Sequence, residues 1–196
     1  MMKIEKTPAP EFLQKNYKKW GRQFKAKLEN PTKSNTFAWS TYKKLKVILR
    51  ILPLLQAETS CHCSFCDAFP LETTGETIEH FRPKSKFPRL SYVWTNLFYC
   101  CNYCNGNKLE NPERNLLKPD SNGYSFEKYF LFDYESGKIE ANPALSPTEK
   151  TKANNTILIY GLNLFNRPFR RKFYLKQFQN MQNPDIEDFP YRFIFQ

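Results

Sequence analysis

Apolar residues near the start of the chain recur at steps of three and four, which is the periodicity of an amphipathic helix. These positions are Leu13, Tyr17, Trp20, Phe24 and Leu28. The pair Asn30-Pro31 predicts the end of this helix, because proline cannot continue the helical hydrogen-bond pattern. Similar spacing predicts a second helix over 36–52. The face of this second helix that we expect to be basic consists of Lys43, Lys46 and Arg50.

The middle of the chain changes to an extended pattern. Residues 77–81 alternate in part between polar and apolar, which predicts a short strand. Residues 91–100 are rich in aromatic and β-branched side chains and predict a second strand or an extended approach. The polar stretch 102–110 predicts a short helix that stops at Asn111-Pro112. The order of strand, loop, strand and helix is a ββα unit.

The last third of the chain predicts a hairpin followed by two helices. Residues 129–140 indicate the hairpin, with Gly137 in its turn. Ser146-Pro-Thr-Glu149 combines a capping box with proline at the first helical position, which predicts a helix to about Tyr160. A final helix is expected over 168–181.

These patterns predict an α+β protein in which helices surround the ββα unit. We divide the chain into a basic helical region, 1–60, a central unit, 61–119, and a hairpin and helical region, 120–196. At 196 residues the three regions are expected to form one compact unit. The tail that starts at Asp185 ends in three aromatic residues, so we expect it to pack on the body or on a partner.

Charge changes this picture for the first region only. The chain carries 30 Lys and Arg against 19 Asp and Glu, a formal net charge of +11. Residues 1–60 hold 13 basic against 4 acidic residues, whereas the remaining residues are nearly balanced. Such a patch favours contact with a nucleic-acid backbone without sequence readout. The alternatives are a solvated helix face and a docking surface for an acidic protein partner.

The six cysteines include two Cys-x-x-Cys pairs, separated by 34 residues. The pairs are Cys63 with Cys66 and Cys101 with Cys104. Each pair places two thiolates on a tight turn, which suits one side of a tetrahedral ion. We therefore expect a structural zinc site that closes the base of the central unit, in preference to a redox motif or disulfides. Cys61, Cys100 or His62 could replace a ligand, although both cysteines are expected to be small buried residues.

The sequence also predicts the cellular compartment of the protein. The first residues are charged and lack the apolar core of a signal peptide. The apolar run 47–55 is interrupted and too short to span a bilayer. A cytoplasmic protein with reduced thiols and no membrane contact is therefore expected.

Catalytic residue types lie between and beside the cysteine pairs. Glu79 and His80 are adjacent, Asn96 stands alone, and Asn105 follows the last cysteine. A histidine with a pKa near neutrality can take a proton from water, and a hard divalent ion can relieve charge on a phosphodiester. Because the chain has two histidines and His80 follows an acid inside the cysteine bracket, His80 is the preferred general base.

The order Glu-His, Asn-Leu and Cys-x-x-Cys-Asn-x-x-Lys resembles the HNH nuclease superfamily. It is most similar to the PtuB-type HNH nucleases of the Septu and retron anti-phage defence systems. The similar segments are Thr77-Ile-Glu-His-Phe-Arg-Pro-Lys-Ser85, Gly161-Leu-Asn163 and Arg170-Arg171. The motif covers 61–110, and the similarity outside it is less specific. The resemblance implies a zinc-stapled ββα-metal core and a PtuA-like ATPase partner.

The resemblance also implies a role for each matching residue. His80 corresponds to the general base, and Glu79 and Asn105 correspond to ligands of the catalytic divalent ion. Asn96 corresponds to the residue that ties the loop together and helps to orient the base. The chain departs from the family pattern because its acid is Glu and its third position is Asn. Oxygen ligands at both places favour Mg²⁺ or Mn²⁺ over zinc.

Several basic residues near the motif have two interpretations. Lys108 is expected either to project near the scissile phosphate or to be a solvated helix residue. Arg82, Lys84 and Lys86, in the loop after the base, either cradle a nucleic-acid backbone or are solvated loop charges.

The sequence thus predicts a metal-dependent HNH endonuclease that acts on DNA within a defence complex containing an ATPase. One alternative is an RNase that acts on structured RNA such as tRNA. The other is a zinc module without catalytic activity that binds nucleic acid or bridges proteins.

Overall fold

The computed structural model describes residues 1–30, 36–71, 75–113 and 115–195. The helices are α1 Glu11–Leu28, α2 Val47–Ala57, α3 Asn102–Lys108, α4 Phe126–Tyr129, α5 Pro147–Ile159 and α6 Arg167–Gln179. The strands are β1 Thr41–Tyr42, β2 Leu45–Lys46, β3 Glu76–His80, β4 Leu97–Cys101, β5 Phe130–Phe132 and β6 Ile139–Ala141. They pair in sequence order into antiparallel two-stranded sheets, so the predicted α+β class is confirmed. One hydrophobic cluster contains residues from all three predicted regions.

The first predicted helix is present as α1. Its buried residues are Leu13, Trp20, Gly21 and Phe24. The stop predicted at Pro31 lies outside the described residues. A Cβ atom on Gly21 would lie 2.8 Å from the carbonyl oxygen of Arg89, so only glycine permits α1 to cross the turn Pro88–Leu90 this closely. This contact holds the loop that follows β3 against the N-terminal helix.

The helix predicted over 36–52 is wrong in its first half. A hairpin of β1 and β2 comes first, and α2 begins only after it. Lys43 and Lys44 form the turn with φ angles of 47° and 64°, in the left-handed region that a right-handed helix excludes. The aromatic residues Phe37 and Trp39 are two positions apart, a spacing that places both on one side of extended backbone.

The predicted order of strand, strand and helix is present in the centre of the chain. The register of the β3–β4 pair runs from Glu76 opposite Cys101 to His80 opposite Leu97. Every residue of β4 is buried, and α3 follows it without a connecting loop. The second strand is shorter than predicted, because 91–96 form a loop that ends in a 3₁₀ turn.

The hairpin and the helices predicted for the last third are confirmed. In the β5–β6 pair, Phe132 lies opposite Ile139. The Ser146 hydroxyl accepts a hydrogen bond from the Glu149 amide, and the Glu149 carboxylate accepts one from the Ser146 amide, both at 3.4 Å. These two bonds are the capping box that the sequence predicts for α5.

Helix α6 buries two of its three arginines and exposes two of its three phenylalanines. Arg167 and Arg171 are buried, whereas Phe169 and Phe173 are 69% and 49% exposed. The Arg171 guanidinium donates to two backbone carbonyls and lies over two aromatic rings of the C-terminal tail. Carbonyl dipoles and ring faces therefore compensate this buried charge, which is unavailable to an external anion.

The C-terminal tail packs on the body, as predicted. Arg192 donates through Nε and Nη2 to the two carboxylate oxygens of Asp67, at 3.2 and 2.7 Å, and both side chains are buried. The Tyr191 amide donates to the Asp67 carbonyl at 2.7 Å. Because Asp67 directly follows Cys66, the tail anchors the turn that carries the first cysteine pair.

Candidate active site

Four buried cysteine side chains converge at the base of the central unit. They are Cys63, Cys66, Cys101 and Cys104. Their sulfur atoms all lie within 4.8 Å of one another, and the sulfurs of Cys66 and Cys101 are 3.7 Å apart. A tetrahedral zinc ion with Zn–S bonds of about 2.3 Å would separate its sulfurs by about 3.8 Å. The cluster is thus positioned to hold a metal ion and is compatible with zinc.

The other candidate ligands lie outside this cluster. Cys61 is exposed, so the expectation that it is buried is wrong. Cys100 is buried as expected, and its thiol donates to the Cys101 carbonyl at 3.3 Å. Burial raises the pKa of Cys100, which favours the neutral thiol. Atom Nε2 of His62 lies 3.0 Å from the Phe189 carbonyl, and within the described ranges the metal-binding group contains none of these three residues.

Arg167 contacts the cysteine cluster directly, which the sequence analysis missed. Its Nη2 donates to the Cys104 sulfur at 3.3 Å, and its Nη1 donates to the Tyr160 carbonyl at 2.9 Å. Burial lowers the pKa of Arg167, but the nearby sulfurs raise it by more, so the guanidinium stays charged. A zinc ion bound by four thiolates keeps a net negative charge, which this cation would offset. The only sequence signal was an arginine beside a predicted helix start.

A cleft of about 150 Å³ lies between β3, the loop after it and α3. Its lining residues are Ile78, Glu79, His80, Pro83, Lys84, Asn105, Leu109 and Glu110. The fold thus brings together the acid, the histidine and the amide that the sequence singled out. They meet because α3 continues directly from β4, the pairing partner of β3.

A backbone carbonyl and two aromatic rings hold His80. Its Nε2 lies 3.0 Å from the Ser91 carbonyl oxygen. Because a carbonyl only accepts, Nε2 carries the proton and Nδ1 keeps its lone pair. The Trp39 ring stacks on the imidazole at 5.6 Å, and Phe37 meets it edge-on at 5.3 Å. Burial, with a smaller contribution from Lys84, lowers the pKa of His80 to about 3. The ring is therefore neutral, but its pKa lies below the near-neutral value that the sequence argument for a general base assumed.

Phe37 and Trp39 were not predicted as site residues, because the sequence pattern predicted a helix for their segment. Their alternation, two aromatic residues separated by one small residue, was the available signal. Both rings shield the imidazole and restrict its rotation, so they set the orientation of His80.

Lys108 is buried, which corrects the expectation that it projects toward a scissile phosphate or into solvent. Its ammonium donates to Glu79 Oε1 at 2.5 Å and to the His80 carbonyl at 2.9 Å. Burial raises the pKa of Glu79 to about 7, while Lys108 opposes this rise. A buried carboxylate requires a countercharge, and α3 places this lysine within reach of it.

Asn96 fastens the loop that follows His80. Its Oδ1 accepts a hydrogen bond from the Arg82 amide at 2.7 Å. Its Nδ2 donates to the carbonyls of Arg82 and Leu90, both at 3.1 Å. Because Ser91, which holds His80, directly follows Leu90, Asn96 also steadies the partner of the histidine.

The proposed ligands of a catalytic ion, Glu79 and Asn105, both line the cleft. Asn105 is partly buried and its Nδ2 donates to Thr77 Oγ1 at 3.4 Å. In the part of the chain that the structure describes, neither Asn105 Oδ1 nor Glu79 Oε2 has a hydrogen-bond partner. A carboxylate oxygen and an amide oxygen are the donors that Mg²⁺ and Mn²⁺ prefer. The donor chemistry fits such an ion, but Glu79 Oε1 is already engaged by Lys108.

The basic residues of the loop after β3 differ in how available their side chains are to contact a nucleic-acid backbone. Lys84 lines the cleft and pairs with Glu110 at 2.9 Å. Arg82 Nη1 donates to the Glu113 carbonyl at 3.3 Å. Lys86 is exposed. Lys84 is therefore the basic side chain of this loop that lies at the cleft itself.

The basic trio of the first region does not form one helix face, contrary to the prediction. Lys43 lies in the β1–β2 turn, Lys46 precedes α2 and Arg50 lies within it. The charged groups of Lys43 and Arg50 nevertheless lie 5.7 and 5.6 Å from the same Tyr42 ring. The hairpin and the start of α2 thus form one basic surface.

Comparison with known proteins adds no family assignment. No protein-family model matches the chain, and no curated protein matches it significantly.

Within the described residues, no helix combines the length and apolar character needed to cross a bilayer.

Proposed function

We propose that this protein is a metal-dependent endonuclease of the HNH type that hydrolyses phosphodiester bonds of DNA. One observation carries the proposal. A neutral histidine, whose Nδ1 has no hydrogen-bond partner among the residues that the structure describes, lies in the same cleft as Glu79 and Asn105, beside a cluster of four cysteines. A module that only binds nucleic acid does not require this set of groups.

The geometry supports a role for each group. His80 Nδ1 accepts the proton of the attacking water, while the Ser91 carbonyl and the Trp39 ring keep the imidazole oriented. Glu79 and Asn105 would hold the divalent ion, which supplies charge relief on the phosphate when it is bound. Lys84 at the cleft attracts the phosphodiester.

The wider setting rests on the sequence resemblance. We propose that the chain is the effector nuclease of a bacterial anti-phage complex and that a PtuA-like ATPase controls it. DNA is the preferred substrate, and a structured RNA is the alternative within the same chemistry.

The test is a cleavage assay with zinc-loaded protein, with and without the ATPase partner. Supercoiled plasmid, linear duplex DNA and tRNA are incubated with Mg²⁺, with Mn²⁺ or with chelator. We expect DNA cleavage that requires the added ion. Cleavage of tRNA alone would favour the RNase, whereas tight nucleic-acid binding without cleavage under all conditions would favour the zinc module.

The basic surface around Tyr42 should contribute to affinity for nucleic acid. Replacing Lys43, Lys46 and Arg50 together with alanine should weaken binding to duplex DNA. The slope of log affinity against log salt should fall by up to about 2.7, because each lost phosphate contact removes about 0.9. Binding titrations at several salt concentrations measure this slope.

A matched control removes three exposed lysines of the C-terminal region, namely Lys138, Lys150 and Lys176. This variant has the same net charge as the first and should bind more tightly than it does. Unchanged DNA binding with lost co-purification of the ATPase would assign the surface to protein docking. If neither assay changes, the basic surface is a solvated face that binds neither DNA nor the ATPase.

A further inference from the structure

The carboxylate proposed as a metal ligand already has a cation bound to it. Lys108 Nζ lies 2.5 Å from Glu79 Oε1, and the side chains are 0% and 4% exposed. Lys108 also donates to the His80 carbonyl at 2.9 Å, so its position is fixed by two acceptors on adjacent residues of β3. In the described structure no other salt bridge reaches Glu79.

A divalent ion and the Lys108 ammonium would each neutralise the negative charge of the Glu79 carboxylate. A carboxylate buried away from water requires a nearby positive charge, whichever group supplies it. Once Lys108 has supplied it, a divalent ion at Oε2 gains little further neutralisation and is repelled by the ammonium. Full use of both carboxylate oxygens by an ion requires that Lys108 leave Oε1.

We infer that Lys108 is a built-in competitor of the divalent ion at Glu79. It neutralises the acid in the ion-free protein and weakens binding of the ion there. A phosphodiester in the cleft adds negative charge that offsets Lys108, so the ion and the substrate strengthen each other's binding. This inference rests on the proposed function only in taking Glu79 as an ion ligand.

Direct binding of Mn²⁺ to zinc-loaded protein, without nucleic acid, tests the competition. Free Mn²⁺ is measured by electron paramagnetic resonance during a titration. Lys108→Gln keeps an N–H donor for Glu79 and for the His80 carbonyl but removes the charge. We expect its dissociation constant for Mn²⁺ to be at least tenfold lower than that of the unmodified protein.

Two control variants locate the effect. Lys84→Gln also removes one positive charge, here from a residue that lines the cleft beside Glu79, but Lys84 pairs with Glu110 instead of Glu79. It should lower the dissociation constant by much less than Lys108→Gln does. The double variant Glu79→Gln with Lys108→Gln should not show the tighter Mn²⁺ binding expected of Lys108→Gln alone. This result would identify Glu79 as the ligand involved.

Equal or weaker Mn²⁺ binding by Lys108→Gln would overturn the inference, as would no binding by either protein. A second measurement uses the unmodified chain in case the variant does not fold. The Lys108 ammonium is buried, so its protons should exchange slowly in ¹⁵N NMR spectra, and saturating Mg²⁺ should accelerate this exchange. Unchanged exchange with Mg²⁺ bound at Glu79 would also overturn it.

The same samples separate this inference from the proposed function. Cleavage by the unmodified protein together with unchanged Mn²⁺ affinity in Lys108→Gln would remove the inference alone. Tighter Mn²⁺ binding by the variant, with no cleavage of any nucleic acid, would remove the nuclease and keep the competition.

Discussion

Replacing Cys104 with serine is expected to yield protein that neither folds nor retains zinc. Binding of a structural zinc ion contributes about 10–16 kcal/mol in small zinc domains, which matches or exceeds the total stability of about 5–15 kcal/mol of a typical domain. Cys104 is fully buried and joins the first turn of α3 to the turn that carries Cys63 and Cys66. Losing one ligand should therefore release both the helix and the base of the cleft.

Elemental analysis and circular dichroism of the purified variant measure the two effects. Cys61→Ser is the matched control, because Cys61 is exposed and lies outside the cluster. It should contain about one zinc per chain and keep the native spectrum. A soluble, folded parent protein without zinc would contradict the assignment of the cluster.

Replacing His80 with alanine should lower the cleavage rate by about 10²- to 10⁴-fold, the usual contribution of a general base. The cysteine cluster does not include His80, so zinc content should stay unchanged and the protein should remain folded. Single-turnover cleavage with saturating divalent ion measures the rate, and thermal denaturation confirms the fold.

The other histidine provides the comparison. His62 is fully buried and its ring also contacts backbone carbonyls, but it does not line the cleft. His62→Gln should lose stability and still cleave at nearly the parent rate per folded molecule. A His80→Ala variant that cleaves as fast as the parent would remove His80 as the base.

The central unit could be predicted because its signals are local. Partial alternation over 77–81 and the polar stretch 102–110 matched β3 and α3 to within two residues, since side-chain periodicity directly reflects backbone geometry. The spacing of the cysteine pairs also determined which four thiols meet. A Cys-x-x-Cys turn positions its two sulfurs before any tertiary contact forms.

The segment before α2 shows where this reasoning failed. Its apolar residues fit a helical spacing and an alternating one, and single-sequence patterns do not choose between them. The choice came from packing, because Phe37 and Trp39 are needed against Tyr92 and His80, which are distant in sequence. The left-handed turn at Lys43-Lys44 contains no glycine or asparagine from which it could have been predicted.

Charged residues inside the fold were the second failure. Arginine is almost never fully buried unless it is paired, so the sequence alone offered no reason to place Arg167 and Arg171 inside the fold. Both are buried here, one against sulfurs and carbonyls and the other against carbonyls and aromatic rings. Lys108 pairs with Glu79 across the contact between α3 and β3, and the spacing of the two residues in the sequence does not predict this pair.

By itself, the sequence determined the elements of the central unit, the four convergent cysteines and the residue types available for chemistry. Those features depend on neighbours along the chain, whose geometry the backbone sets. Only the tertiary structure decided which nitrogen of His80 contacts the Ser91 carbonyl, which aromatic rings cover the imidazole and which cation neutralises Glu79. These depend on burial, because a charge or a lone pair removed from water must be matched by whatever group the fold places nearest to it.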